Sequence, residues 1–91
     1  MKVTIRGKRY DSTKCEKLGY YNHHNYANNY SGCTELLRAA DGVLLLETKS
    51  NGQDCYLSDN LCEFTGEIEK FDFTDDQERR CAELELIKIV D

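Results

Sequence analysis

The sequence predicts an α+β fold: a small antiparallel sheet of about four to six strands in a meander, packed with a C-terminal α-helix. Three observations predict it. Short apolar runs are separated by Gly-containing tight-turn pairs. Thr74-Asp75-Asp76-Gln77 forms a helix start after the last of these runs. The chain has 91 residues, enough for one domain spanning 1–91 with a modest core. With 40% apolar residues, 32% charged residues and no proline, the composition is that of a folded domain rather than a linker.

Val3-Thr4-Ile5 and Lys8-Arg9-Tyr10 flank Arg6-Gly7, a pair suited to a tight hairpin because Gly accepts a positive φ. Asp11-Ser12-Thr13 offers side-chain caps for a turn, and Cys15 to Tyr20 continues as a strand. Residues 20–32 hold four Tyr, four Asn and two His with hardly an aliphatic side chain, and read as a loop. Thr34 to Ala39 and Val43 to Thr48 flank Ala40-Asp41-Gly42, a strong hairpin signal, and the second run is the central strand. Asn51-Gly52 announces a further turn before a strand over Gln53 to Leu57. Residues 58–63 look irregular. Glu67 to Phe73 alternates as an edge strand whose charges discourage edge-to-edge pairing.

The helix begins at Asp75. Thr74 and Gln77 fit a capping box, and acidic residues occupy the first turn, where the helix dipole favours them. Propensity carries the helix through Glu85. Beyond it, residues 86–91 fit helix and strand equally.

Charge is spread unevenly. Residues 1–45 carry seven Lys/Arg against four Asp/Glu, and residues 46–91 carry five against thirteen. The halves are therefore +3 and −8. Such a one-sided negative field steers a small domain toward a basic protein surface and away from bare nucleic acid. The expected partner is a protein with a basic surface, and no direct nucleic-acid contact is expected. Between residues 63 and 85 stand nine acids, Glu63, Glu67, Glu69, Asp72, Asp75, Asp76, Glu78, Glu83 and Glu85, against Lys70, Arg79 and Arg80. On a helical projection Asp75, Glu78 and Glu85 share one side and Asp76 with Glu83 another. The alternative is a solvated face. Tyr21, Tyr26 and Tyr30 add large contact area at low entropy cost, a recognition-loop composition, or else they cover the edge of the core.

Catalysis is not expected. The five cysteines, Cys15, Cys33, Cys55, Cys62 and Cys81, are odd in number, have no secretory context, and read as thiols. No metal ligand set is expected: Cys55 and Cys62, the closest pair, are separated by six residues, against the two to four of a zinc knuckle. No motif joins a thiol to His23 or His24, and no phosphate-binding glycine loop or nucleophile elbow is present, so no cofactor is expected either. No apolar run approaches the ~18 residues that a bilayer span needs. The opening Met1-Lys2-Val3-Thr4-Ile5 lacks a secretory stretch, so the expectation is a cytoplasmic protein without a membrane partner.

Two stretches carry a resemblance: Gly7-Lys8-Arg9-Tyr10-Asp11-Ser12, and Thr34-Glu35-Leu36-Leu37-Arg38 followed by Asp41-Gly42-Val43-Leu44-Leu45-Leu46. The chain resembles short phage and mobile-element proteins with a G-K-R-Y-D-T opening, a variable polar loop, an E-T-L-Y-R-T-x-x-G hairpin and an acidic helix. Leu37 stands where that group often has an aromatic residue, and Ser12 where it has Thr. Some proteins of this kind are anti-CRISPR inhibitors. The resemblance implies a protein of a bacterial host's cytoplasm that binds a CRISPR effector and stops it. The physical route is occupation of a cationic groove by carboxylates in place of phosphates, through Glu67, Glu69, Asp72, Asp75, Asp76, Glu78, Glu83 and Glu85, with Tyr21, Tyr26 and Tyr30 as aromatic anchors. The competing expectation is a non-catalytic interaction module, antitoxin-like or bound to a host factor.

Overall fold

The computed structural model describes residues 1–25, 30–50, 60–66 and 68–90, with the backbone alone for 23–25, 30–31 and 50. Its architecture is α+β. Strands β1 (Lys2–Ile5) and β2 (Lys8–Asp11) form a two-stranded ribbon. Strands β3 (Glu16–Asn25), β4 (Tyr30–Arg38), β5 (Leu44–Ser50) and β6 (Asn60–Glu63) form an antiparallel meander in chain order. Helix α1 (Asp75–Glu83) follows. Among the described residues, no helix is long and apolar enough to cross a membrane.

The turns follow local chemistry. Arg6 and Gly7 both take positive φ, 49° and 78°, which is what a two-residue turn matched to strand twist requires. Asp41 accepts the Val43 N–H at 3.1 Å while Ala39 donates to the Val43 carbonyl at 2.9 Å, closing the β4–β5 hairpin. Asp11 caps a 3₁₀ turn over Ser12–Lys14 by accepting from the Thr13 N–H.

The four-stranded sheet is covered on both faces. Consecutive strand residues point oppositely, so Leu37 and Leu45 join Tyr10, Ala39 and Leu61 beneath the β1–β2 ribbon, with Val3 and Ile5 packed on them. Leu18 and Leu36 pack on the other face with Cys81 of α1, flanked by Leu46, Phe64, Ile68, Phe71 and Phe73. Leu18, Leu36, Leu37 and Leu45 are essentially fully buried, each contributing roughly 1.5–3 kcal/mol of transfer free energy. The result is a ribbon layer, a sheet, and a C-terminal layer.

Four sequence expectations are corrected. Of the stretch 20–32, residues 20–25 and 30–32 are strand rather than loop: β3 runs through Asn25 and β4 begins at Tyr30, with Tyr20 opposite Glu35 and Asn25 opposite Tyr30; residues 26–29 lie outside the described residues. Leu18 and Leu36 anchor the base of this hairpin, and the ladder extending from that base overrides the turn preference of Asn. Residues 60–63, expected to be irregular, form β6, because Leu61 is drawn into the ribbon-side core opposite Glu47. Of the stretch Glu67 to Phe73, the described residues 68–73 are not a strand: Ile68–Lys70 is a 3₁₀ turn, and among the described residues only Asp72 bridges to the sheet, at Tyr20. Strand alternation would put Ile68 and Phe71 on opposite faces, whereas the turn brings both into one core. Finally, α1 stops at Glu83, short of Glu85, and residues 86–90 are neither helix nor strand. The expected turn at Asn51-Gly52 and strand over Gln53 to Leu57 lie outside the described residues.

Candidate partner-binding surface

The acidic C-terminal layer is held at both ends. At its start, Thr74 Oγ1 accepts the Gln77 N–H at 3.2 Å and Gln77 Oε1 accepts the Thr74 N–H at 3.0 Å, the capping box read from sequence. In its last turn, the Cys81 thiol is buried and donates to the Leu18 carbonyl at 3.4 Å, fixing α1 to β3. The helix then ends in a Schellman motif: Glu85 donates to the Ala82 carbonyl at 3.1 Å and Leu86 to the Cys81 carbonyl at 2.9 Å. Glu85 occupies the left-handed position of this motif at φ 61°, a site usually given to Gly.

This packing turns the carboxylates outward. Glu69, Asp72, Asp75, Asp76, Glu78, Glu83 and Glu85 are all exposed. They are not equivalent. Asp76 lies 3.7 Å from Arg79, and Glu83 lies 3.2 Å from Arg80, which also holds Glu16 at 2.9 Å. Hydrogen bonds to Glu16 and then to Glu83 raise the Arg80 pKa above its ordinary value, so this guanidinium stays charged between them. Glu63 is occupied as well: Arg6 grips it with both guanidinium nitrogens, at 2.9 and 2.6 Å, and that contact lowers the Glu63 pKa. Among the described residues, Glu69, Asp72, Asp75, Glu78 and Glu85 form no ion pair within the chain. Glu85, beyond the helix end, leaves the line that a longer helix would have shared with Asp75 and Glu78.

The aromatic candidates divide likewise. Tyr21, 43% exposed, lines a groove of about 500 Å³ with Thr34 and Leu46 of the sheet and Lys70 and Phe71 of the C-terminal layer. The groove exists because Tyr20 and Asp72 exchange backbone hydrogen bonds at 2.9 and 2.7 Å, placing Phe71 beside Tyr21. Phe71 is steadied by an edge-on contact with Phe64, centroids 6.0 Å apart. Tyr30 opens β4 opposite Asn25. Tyr26 and Glu67 lie outside the described residues.

No family model, curated protein or solved structure matches this chain. The surface therefore rests on its own geometry.

That geometry places Tyr21 in one groove with Lys70 and Phe71, whose chain neighbours Glu69 and Asp72 are exposed acids. Sequence reasoning missed Leu46, Lys70 and Phe71 as its walls. The sequence puts Leu46 within the central strand and Phe71 within an edge strand, and the Tyr20–Asp72 bridge sets them beside an exposed ring. Among the described residues, no three His, Cys, Asp or Glu side chains converge as a metal site. Cys15, Cys33 and Cys81 are free thiols whose pKa values are pushed up, chiefly by burial. A raised pKa makes a thiol less available as the thiolate nucleophile.

Proposed function

We propose that this chain is a non-catalytic inhibitor of the anti-CRISPR kind that binds a CRISPR effector and occupies its nucleic-acid groove with carboxylates. One observation carries the reading: the exposed acids of the C-terminal layer include five, Glu69, Asp72, Asp75, Glu78 and Glu85, without an internal cation among the described residues. Such a surface keeps its negative potential, and a lysine- and arginine-lined channel is its complement. The Tyr21 groove supplies an apolar anchor beside those charges, and aromatic anchors dominate interface energetics. Raised thiol pKa values and a layer held by caps and backbone bridges fit a rigid binding face better than a reaction centre.

The test is co-purification of the chain with a panel of tagged CRISPR effectors, together with relief of plasmid interference in cells. The variant Asp75→Lys/Glu78→Lys/Glu85→Lys is expected to lose capture and inhibition, with its circular dichroism unchanged and its melting lowered only by the roughly 0.3–1 kcal/mol that each first-turn acid, Asp75 and Glu78, gains from the helix dipole. Capture should also weaken steeply as salt rises. Failure of every effector to co-purify overturns the CRISPR assignment. Undiminished capture by the triple variant overturns the phosphate-mimic route.

A further inference from the structure

The opposite side of the sheet carries a second feature that the acidic surface does not use. The ribbon, the 3₁₀ turn and the β4–β5 loop border a concavity of about 560 Å³ lined by Lys2, Lys8, Arg9, Lys14, Asp11 and Asp41, with Tyr10, Cys15 and Ala39 also in its wall. Its volume falls in the range of small-ligand sites, about 300–1,000 Å³. It gathers four of the seven cations of residues 1–45 into one place, and three of these four are not neutralised. Among the described residues Lys2, Arg9 and Lys14 form no ion pair. Arg9 spends one guanidinium nitrogen on the Thr4 hydroxyl at 2.9 Å. Lys8 alone has a carboxylate, Asp41, at 3.6 Å.

The two carboxylates in the wall are engaged by the fold. Asp11 accepts from the Thr13 amide at 3.0 Å and the Thr13 hydroxyl at 2.7 Å. Asp41 accepts from the Val43 amide at 3.1 Å and the Tyr10 hydroxyl at 2.8 Å. These bonds hold both pKa values below the ordinary aspartate value, so the acids stay ionised and act as anchors for the turn and the hairpin. Four cations against two such carboxylates leave the concavity with an excess of two positive charges. This excess is matched by a ligand bearing two or more negative charges.

We propose that the concavity binds a small organic phosphate, with Lys2, Arg9 and Lys14 on the phosphate oxygens. Lysine ammonium groups serve phosphate as point charges, and an arginine fork adds paired donors. A nucleic-acid backbone fits less well. It needs a long cationic track, whereas these cations converge on one hollow, and the acidic layer across the sheet repels an extended polyanion. The assignment also gives Arg9 of the opening motif a role distinct from Tyr10-Asp11-Ser12, whose side chains are tied into the fold. The site shares no residue with the acidic surface, so either assignment stands if the other fails.

The experiment is isothermal titration of the full chain with inorganic pyrophosphate and with adenosine 5′-diphosphate. Both probes are expected to saturate one site. Arg9→Gln/Lys14→Gln should weaken both at least roughly tenfold, while Lys70→Gln on the opposite face leaves them unchanged. Circular dichroism of each variant checks that it is folded. Absence of saturable binding by either probe up to about 10 mM, a limit of only roughly 3 kcal/mol of affinity, overturns the assignment. So does equal binding by the folded Arg9→Gln/Lys14→Gln variant.

Discussion

Tyr20 and Asp72 each donate a backbone N–H to the other's carbonyl, at 2.9 and 2.7 Å, and this backbone bridge, with the Cys81–Leu18 and Arg80–Glu16 contacts, ties the acidic C-terminal layer to strand β3. The neighbouring Gly19 makes the approach possible. A Cβ built there would lie 2.9 Å from Phe73 Cε1 and 3.2 Å from the Asp72 carbonyl oxygen. The ring belongs to the helix-side core and the carbonyl is fixed by the bridge, so neither moves freely. Gly19→Ala is therefore expected to destabilise the fold by about 1–3 kcal/mol, the usual cost of overpacking. Urea unfolding measures it. Hydrogen exchange at Tyr20 and Asp72 should quicken more than at Leu45. Unchanged stability would show that the layer is not seated through this contact.

Glu47 is an unfavourable residue in a well-packed place. It is 4% exposed, stands directly opposite Glu35 in the β4–β5 ladder, and its Oε2 has no hydrogen-bond partner. Lys49 reaches Oε1 at 3.3 Å but is itself largely exposed, and Lys17 attends Glu35. Like charges opposite one another and an orphaned buried oxygen both cost stability. Replacing Glu47 leaves Lys49 in solvent rather than stranded. Glu47→Leu, which extends the apolar row formed by Leu45 and Leu61, should raise unfolding free energy by about 1–2 kcal/mol. A fall in the urea midpoint would mean that the Lys49 contact outweighs both penalties.

Much of the fold was legible because its signals are local. Arg6-Gly7, Asp41-Gly42 and the Thr74–Gln77 box each specify their geometry within four residues, and the structure places a turn or helix start at each. What was not legible depended on partners distant in sequence. The Tyr- and Asn-rich stretch becomes two strands only through its ladder, and Ile68 to Phe73 leaves strand geometry because three apolar side chains turn into one core. For the candidate surface, the exposure of the acids could be anticipated. Which of them remain unpaired could not, because Arg80 reaches back to Glu16 and Arg6 reaches forward to Glu63.

The Tyr10–Asp41 hydrogen bond at 2.8 Å links the ribbon to the β4–β5 loop and makes that link sensitive to pH. The Val43 amide and then the Tyr10 hydroxyl lower the Asp41 pKa, so its contribution is present above the unfolded-state value and is lost as pH falls through the folded one. Tyr10 shifts the other way. Donation to Asp41, then burial and the Asp41 charge, raise its pKa, so its contribution is complete below the unfolded value and is lost as pH rises through the folded one. The stability difference between wild type and Tyr10→Phe should be flat near neutrality and shrink below about pH 4 and above about pH 10. Urea midpoints across that range provide the measurement. Parallel curves for the two proteins at every pH would show that the hydroxyl contributes nothing through Asp41.

Glu85 allows charge and backbone strain to be separated at one position. It sits at φ 61° in the Schellman motif that ends α1, where a side chain crowds the following carbonyl at a cost of roughly 1–2 kcal/mol. Glu85→Gly removes both the crowding and the carboxylate, whereas Glu85→Lys keeps the crowding and reverses the charge. The glycine variant should gain about 1 kcal/mol in stability, with the lysine variant close to wild type. If Glu85 also contacts a cationic groove, both variants lose affinity for the effector, and the lysine variant loses more, because it adds repulsion to the missing attraction. Denaturant titration and effector capture then rank the three proteins in different orders. A glycine variant no more stable than wild type would mean that the motif's hydrogen bonds, not its left-handed residue, limit the helix end.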